Sequence, residues 1–204
     1  MSEIHIIEPS ELLDTSRRFF LSGVGKATLS ATAVALIVGC ESMAASNTGA
    51  RAADPAQDVA ILNVALGLEH EAINAYQLGA ESGLLSKDVL PVAVLFQSQH
   101  KEHRDALAGT IKKMGGMPVD AKAMGDYAKS LKAETLKSQT DVLRLAARLE
   151  RGAANAYLGV IPAFGDAGLA QIAGRLAADE TMHWTVLASA LGEQLPQMAL
   201  SFGA

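Results

Sequence analysis

The 204-residue chain is poor in several things at once: it has one cysteine, six prolines and aromatic residues at only 4%. A single thiol excludes an intramolecular disulfide and any Cys-rich metal site. Nowhere do apolar and polar residues alternate in the two-residue rhythm of a half-buried strand, which argues against sandwiches and barrels. Clustered positive charge is also missing, and a formal net charge of −5 argues against a nucleic-acid surface. What fills the chain is small and aliphatic: half of it is hydrophobic, and alanine is abundant. That mixture suits helices packed closely on helices, and the length suits one well-buried domain with a short extra segment.

The extra segment is N-terminal. Residues 16–21 read SRRFFL, with Arg17 and Arg18 ahead of a weakly apolar stretch that ends IVGC at Cys40. This resembles a twin-arginine export signal, and IVGC resembles a lipobox. The uncharged run 27–39 holds 13 residues, short of the roughly 20 that a spanning helix needs. The expectation is a leader over 1–40, a polar linker over 41–53 and a folded domain over 54–195. The resemblance implies the twin-arginine export machinery as a partner and a periplasmic location. The mature chain would be lipid-attached at Cys40, held by an uncleaved helix from Phe19 to Gly39, or released by cleavage near Ala44 or Ala52. Without the first 40 residues the chain keeps 14 basic and 18 acidic side chains, with no polybasic stretch.

Beyond the linker the pattern is helical. Asp54-Pro55 offers an N-cap followed by a proline at the first helical position, and Ser82-Gly83 stops that first helix near Glu81. A second helix is predicted from about 87–91 to Met114, before Gly115-Gly116 and Pro118. A connection over 119–132, in part helical, leads to a third helix over about 134–163. Asp166 caps a fourth that reaches about Leu191. The halves repeat: LEHEAINAY (68–76) aligns with LERGAANAY (149–157), and HRDALA (103–108) with HWTVLA (183–188). Two helical hairpins of one design, joined by a long connection, predict an all-α four-helix bundle with a crossover.

The predicted inward stripes are Leu62, Leu66, Glu69, Ile73 and Tyr76 on the first helix, and Val92, Phe96, His100, His103, Leu107 and Ile111 on the second. The third carries Leu143, Ala146, Glu150, Ala153 or Ala154, Tyr157 and Ile161. The fourth carries Ile172, Leu176, Glu180, His183, Leu187 and Leu191. Ionisable groups therefore sit at one depth of an otherwise apolar interior. A lone buried carboxylate costs several kcal/mol unless it is paired or bound to a metal. Residues at i and i+3 share a helical face, so Glu180 and His183, and likewise His100 and His103, can aim at one centre. Glu69, His100, His103, Glu150, Glu180 and His183 are thus the candidate metal ligands. Taken singly, a glutamate on such a stripe is more often a salt-bridge partner than a ligand, and the pair His100 and His103 alone reads either way; the set of four helices at one level is what points to metal. Tyr76 and Tyr157 lie two turns beyond the glutamates, as hydrogen-bond donors to the site or as ordinary core residues. His70 reads as a surface group or a neighbour of the ligands, Glu71 and Glu102 as solvated, and Asn74 and Asn155 as bonds between helices.

These residues resemble the ferritin-like (rubrerythrin-like) di-iron carboxylate superfamily, over about residues 56–192. The resemblance implies a ferritin-like bundle holding two iron ions, or alternatively manganese, zinc or a single metal. It pairs Glu69 with His103 and Glu150 with His183, with Glu180 between them. It also implies redox chemistry with oxygen or peroxide, or oxidation of ferrous iron, as a di-iron oxidoreductase of ferroxidase or peroxidase type, and a homodimer as one assembly. His100 departs from the pattern by standing where a second bridging glutamate is expected. That leaves three carboxylates instead of four, so weaker or asymmetric dimetal binding is expected. Rubrerythrins carry a four-cysteine iron domain as electron donor; this chain has one cysteine, so turnover requires an outside reductant. The alternative from a different class is a non-catalytic accessory or binding bundle with a degenerate metal site.

Overall fold

Asp54 opens the folded region as the sequence predicts: its carboxylate accepts hydrogen bonds from the backbone N–H groups of Ala56 and Gln57 at 3.1 and 3.2 Å. The computed structural model describes residues 54–203. The expected leader with Arg17, Arg18 and Cys40, and the linker before Asp54, lie outside the described residues. Helix α1 spans Pro55–Glu81, α2 Leu90–Lys113, α3 Met124–Ser130, α4 Gln139–Val160 and α5 Ala167–Ala190. Short 3₁₀ turns occupy Ala133–Thr135 and Ile161–Ala163. No described residue is in a strand, and no described helix is long and apolar enough to cross a membrane.

Local chemistry sets the ends. Ser138 caps α4 by accepting from the Asp141 backbone N–H, while Asp166 accepts from Gly168 and Leu169 to start α5. Gly115, at φ +79°, ends α2, and the Gly116 N–H returns to the Ile111 carbonyl at 2.9 Å, a closure that favours a residue without Cβ. A Cβ on Gly116 would also lie 2.6 Å from Val59 Cγ1. The crossover begins here and is laced to α1: Asn63 bonds both the Met117 carbonyl and the Val119 N–H, and His70 Nε2 lies 3.1 Å from the Val119 carbonyl.

α1 packs mainly on α2 and α4 mainly on α5, and the two hairpins meet along α1 and α4. Among the described residues the apolar interior forms two larger layers, with a smaller cluster of Ile61, Val160, Ala163 and Ala173 beside them. One contains Leu62, Leu66, Leu107, Ile111, Tyr157 and Leu176, and the other Tyr76, Phe96, Leu143, Trp184 and Leu187. Fully burying one such aliphatic side chain contributes about 1.5–3 kcal/mol, so these layers hold the helices in register against the polar level between them. Beyond α5 the chain returns to the bundle. Phe202 packs edge-on against Trp184, the Arg151 guanidinium lies over both rings, and the Gly203 N–H bonds Asn155 Oδ1 at 2.8 Å.

Several smaller expectations change. Ile73 and Ile172 are half-buried, because Ala72, Ala75 and Ala173 take the innermost positions. Asn74 bonds the His70 carbonyl of its own helix, and Asn155 bonds the C-terminal segment; neither links two helices. Glu71 is half-buried, and burial raises its carboxyl pKa against the opposing charge of Lys122.

Candidate metal centre

Between the apolar layers lie all six of the residues singled out as ligands. Glu69, His100, Glu150, Glu180 and His183 are exposed by 2% or less, and His103 by 8%. They come from four helices: Glu69 from α1, the two histidines from one face of α2, Glu150 from α4, and Glu180 with His183 from one face of α5. Two four-residue groups result, Glu69–His100–His103–Glu180 and His100–Glu150–Glu180–His183. In each, one ligand atom per residue lies within 4.8 Å of all the others. The groups share Glu180 and His100.

His103 turns Nδ1 inward, 3.6 Å from Glu69 Oε2 and 3.2 Å from Glu180 Oε1. His183 does the same from the opposite hairpin, with Nδ1 3.4 Å from both Glu150 Oε2 and Glu180 Oε2. The outward nitrogens are held. His103 Nε2 pairs with Asp179 Oδ2 at 3.2 Å, and His183 Nε2 with Gln99 Oε1 at 2.7 Å. An imidazole that donates its outer N–H to such a partner keeps a lone pair aimed at the centre. Asp179 and Gln99 were not picked out from the sequence, although a signal exists: each immediately precedes an i, i+3 pair, and they align in the same 80-residue repeat.

The tyrosines cross-link the halves. Tyr157 on α4 donates to Glu69 on α1, and Tyr76 on α1 donates to Glu150 on α4. Burial, reinforced by the facing carboxylates, pushes both phenol pKa values well up, so the hydroxyls remain protonated donors.

His100 occupies the space between the halves. Its Nδ1 lies 2.8 Å from Glu69 Oε2 and its Nε2 3.2 Å from Glu150 Oε1. Burial opposes its charged form, but hydrogen bonds to Glu150 and Glu69 outweigh burial and raise its pKa well above the ordinary value. Burial likewise opposes the charge on His103, yet its carboxylate partners push its pKa up to about 10; the His183 pKa is raised in the same way. Glu69 and Glu150 are held below the usual carboxylate range because imidazole hydrogen bonds overcome desolvation. Glu180 is the exception: burial dominates, and its pKa rises to about 7.

Among the described residues, three buried side-chain atoms make no well-formed hydrogen bond: His103 Nδ1 and both oxygens of Glu180, although His103 Nδ1 and His183 Nδ1 lie 3.2 and 3.4 Å from those oxygens. Buried polar atoms in native interiors are nearly always satisfied, and a cation is the partner that these three would share. Carboxylate oxygens and imidazole nitrogens suit iron, manganese or zinc. The spacing of each group is near what one ion requires with bonds of about 2.0–2.2 Å. The residues present therefore fit a bound metal.

A four-helix bundle with a crossover, built around buried carboxylates and histidines, defines the class as ferritin-like. The ferritin-like domain matches residues 57–193, and the chain belongs to that family. Among solved structures, a conserved hypothetical protein from Mycobacterium tuberculosis is similar at a TM-score of 0.61 and 24% identity, over 68% of this chain and 100% of the other. A dodecameric thioferritin, the bacterioferritin-related protein of Bacteroides fragilis, is similar at a TM-score of 0.58 and 22% identity, over 69% and 87%. Comparison with curated proteins gives no match.

Proposed function

We propose that this chain is an exported dimetal protein, with iron the leading metal, which works on dioxygen or peroxide or oxidises ferrous iron. The observation that carries the reading is the Glu180 carboxylate, wholly buried where the two residue groups overlap, with no well-formed hydrogen bond and an inward imidazole nitrogen facing each oxygen. Glu69 with His103 would hold one ion, Glu150 with His183 the other, and Glu180 both. A bound iron pair supplies one-electron chemistry with oxygen species.

The protein's own part is to hold and to shield. Asp179 and Gln99 orient the two histidines, and Tyr157 and Tyr76 fix Glu69 and Glu150. Phe96, stacked on His183 at 4.1 Å, closes one side to water. With three carboxylates instead of four, the pair is less fully neutralised, which favours divalent over trivalent ions at rest. Anaerobic iron titration with elemental analysis tests this. Two irons per chain support the dimetal form, one supports a single-metal form, and none refutes the reading.

The non-catalytic alternative is supported by His100, which in its protonated form ties Glu69 to Glu150. In that case purified protein carries no metal in any preparation, and Glu180 substitutions leave every ion-binding measurement unchanged.

The resemblance of SRRFFL at residues 16–21 to a twin-arginine signal supports export in the folded state, which fits metal loading before translocation. Periplasmic fractionation and mass spectrometry of the mature N-terminus test the leader, the lipid on Cys40, and 54–195 as the folded unit. We propose a homo-oligomer, tested by light scattering; the Bacteroides fragilis protein is described as dodecameric.

A further inference from the structure

The two apolar layers are not equally filled. Beyond Tyr157 the interior is closed by Leu62, Leu107, Leu169 and Leu176, and the residual space is only about 10 Å³. Beyond Tyr76, its counterpart in the repeat, there is a cavity of about 100 Å³, open at one side. Repeated halves of one design should pack alike. At this end the small side chains of Ala75, Gly79, Ala93, Ala146 and Ala190 stand among Leu85, Leu143, Leu145 and Leu187, and the space between them is left open.

The inner wall of the cavity is Tyr76 and Phe96. These rings meet edge to face with centroids 6.1 Å apart. Behind them, without a further layer, stand Glu150, bonded by Tyr76, and His183, stacked on Phe96. The Tyr76 hydroxyl is engaged by Glu150, so it offers a visitor little. The one charged lining residue is Asp88, which is exposed. An apolar cavity of about 150 Å³ stays dry and takes benzene or xenon; this one is somewhat smaller but continues outward.

We infer that this cavity is a binding site for a small, uncharged, apolar molecule, up to a single hydrocarbon ring or a short alkyl chain, seated one aromatic layer from the carboxylate–histidine cluster. Apart from exposed Asp88, the lining offers no free side-chain hydrogen-bond partner to replace lost water, so its interior disfavours charged and strongly polar ligands. That the visitor is a substrate, rather than a passive occupant, rests on the metal reading above.

The test uses the full chain. Crystals under xenon pressure are expected to show xenon between Tyr76, Phe96 and Leu187. Saturating benzene is expected to raise the melting midpoint by several degrees and to give nuclear Overhauser contacts to the Tyr76 ring. Ala146→Leu and Ala93→Leu, which fill the space, should each remove the benzene shift. If either variant fails to fold, the other variant and the xenon experiment decide. Absence of xenon and benzene from the wild-type cavity overturns the inference, as does a benzene shift that survives both filled variants. Metal bound without xenon sinks the cavity alone, and xenon bound in a chain that takes up no metal sinks the metal reading alone.

Discussion

Replacing Glu180 by glutamine should stabilise the metal-free protein and weaken the metal-loaded one. Glu180 has 0% exposure, neither oxygen is hydrogen-bonded, and burial raises its pKa from 4.5 to about 7. That shift corresponds to about 3 kcal/mol by which the ionised carboxylate disfavours folding above pH 7. The sign follows from proton binding. Between pH 4.5 and 7 the folded state binds more protons at this site than the unfolded one, so stability falls as pH rises through that window. Glutamine keeps the shape without the charge, and its amide can donate to neighbouring Glu150. The expected gain for metal-free Glu180→Gln is about 1–3 kcal/mol at pH 8, after allowing for imperfect hydrogen bonding of the amide. It should vanish below about pH 4.5. At roughly 2–4 °C per kcal/mol for a chain of this size, thermal and urea unfolding of chelator-treated protein both resolve it. With excess ferrous or zinc ion the order reverses, because only the wild type gains stability from tight binding. A variant less stable than wild type without metal, yet equal to it in metal affinity, would show that Glu180 is a structural ion-pair partner and would refute the reasoning.

Other outcomes follow from the same geometry. His100→Glu restores a fourth carboxylate and should tighten binding of the second metal about tenfold or more (one step of 1.4 kcal/mol), read by anaerobic titration. Asp179→Ala frees the outer nitrogen of His103 and should cost about 10–100-fold in metal affinity, with little change in circular dichroism. Metal uptake at pH 7 should release protons, because the His100, His103 and His183 pKa values are raised in the metal-free protein and ligands must deprotonate; a weakly buffered indicator assay that shows no release contradicts those protonated imidazoles. Ile111→Ala, at a position with 0% exposure in the layer beyond Tyr157, should cost about 2–5 kcal/mol of unfolding free energy.

Much of this was legible in the sequence for one reason: a helix maps spacing onto direction. Leu, Glu and Tyr at three- and four-residue steps already say that Glu69 and Tyr76 face one way, and the internal repeat says that Glu150 and Tyr157 do likewise. Caps at Asp54 and Asp166, and the glycines at 115 and 116, mark ends that the structure keeps. The six inward ionisable residues, and their common level, needed nothing more.

The rest depended on how four rods lie against one another, which periodicity along one rod does not encode. Only the packed bundle decides that each tyrosine bonds the glutamate of the other hairpin rather than its own. Packing also turns His103 and His183 to face inward through Nδ1 and braces them with Asp179 and Gln99. It places His100 with one nitrogen toward each half, and it leaves the Glu180 oxygens with no well-formed hydrogen bond, faced by the inward nitrogens of His103 and His183. The open cavity beyond Tyr76 belongs to the same category: alanines on four helices become a void only when their neighbours fail to cover them, and that depends on distances between helices rather than on any one of them.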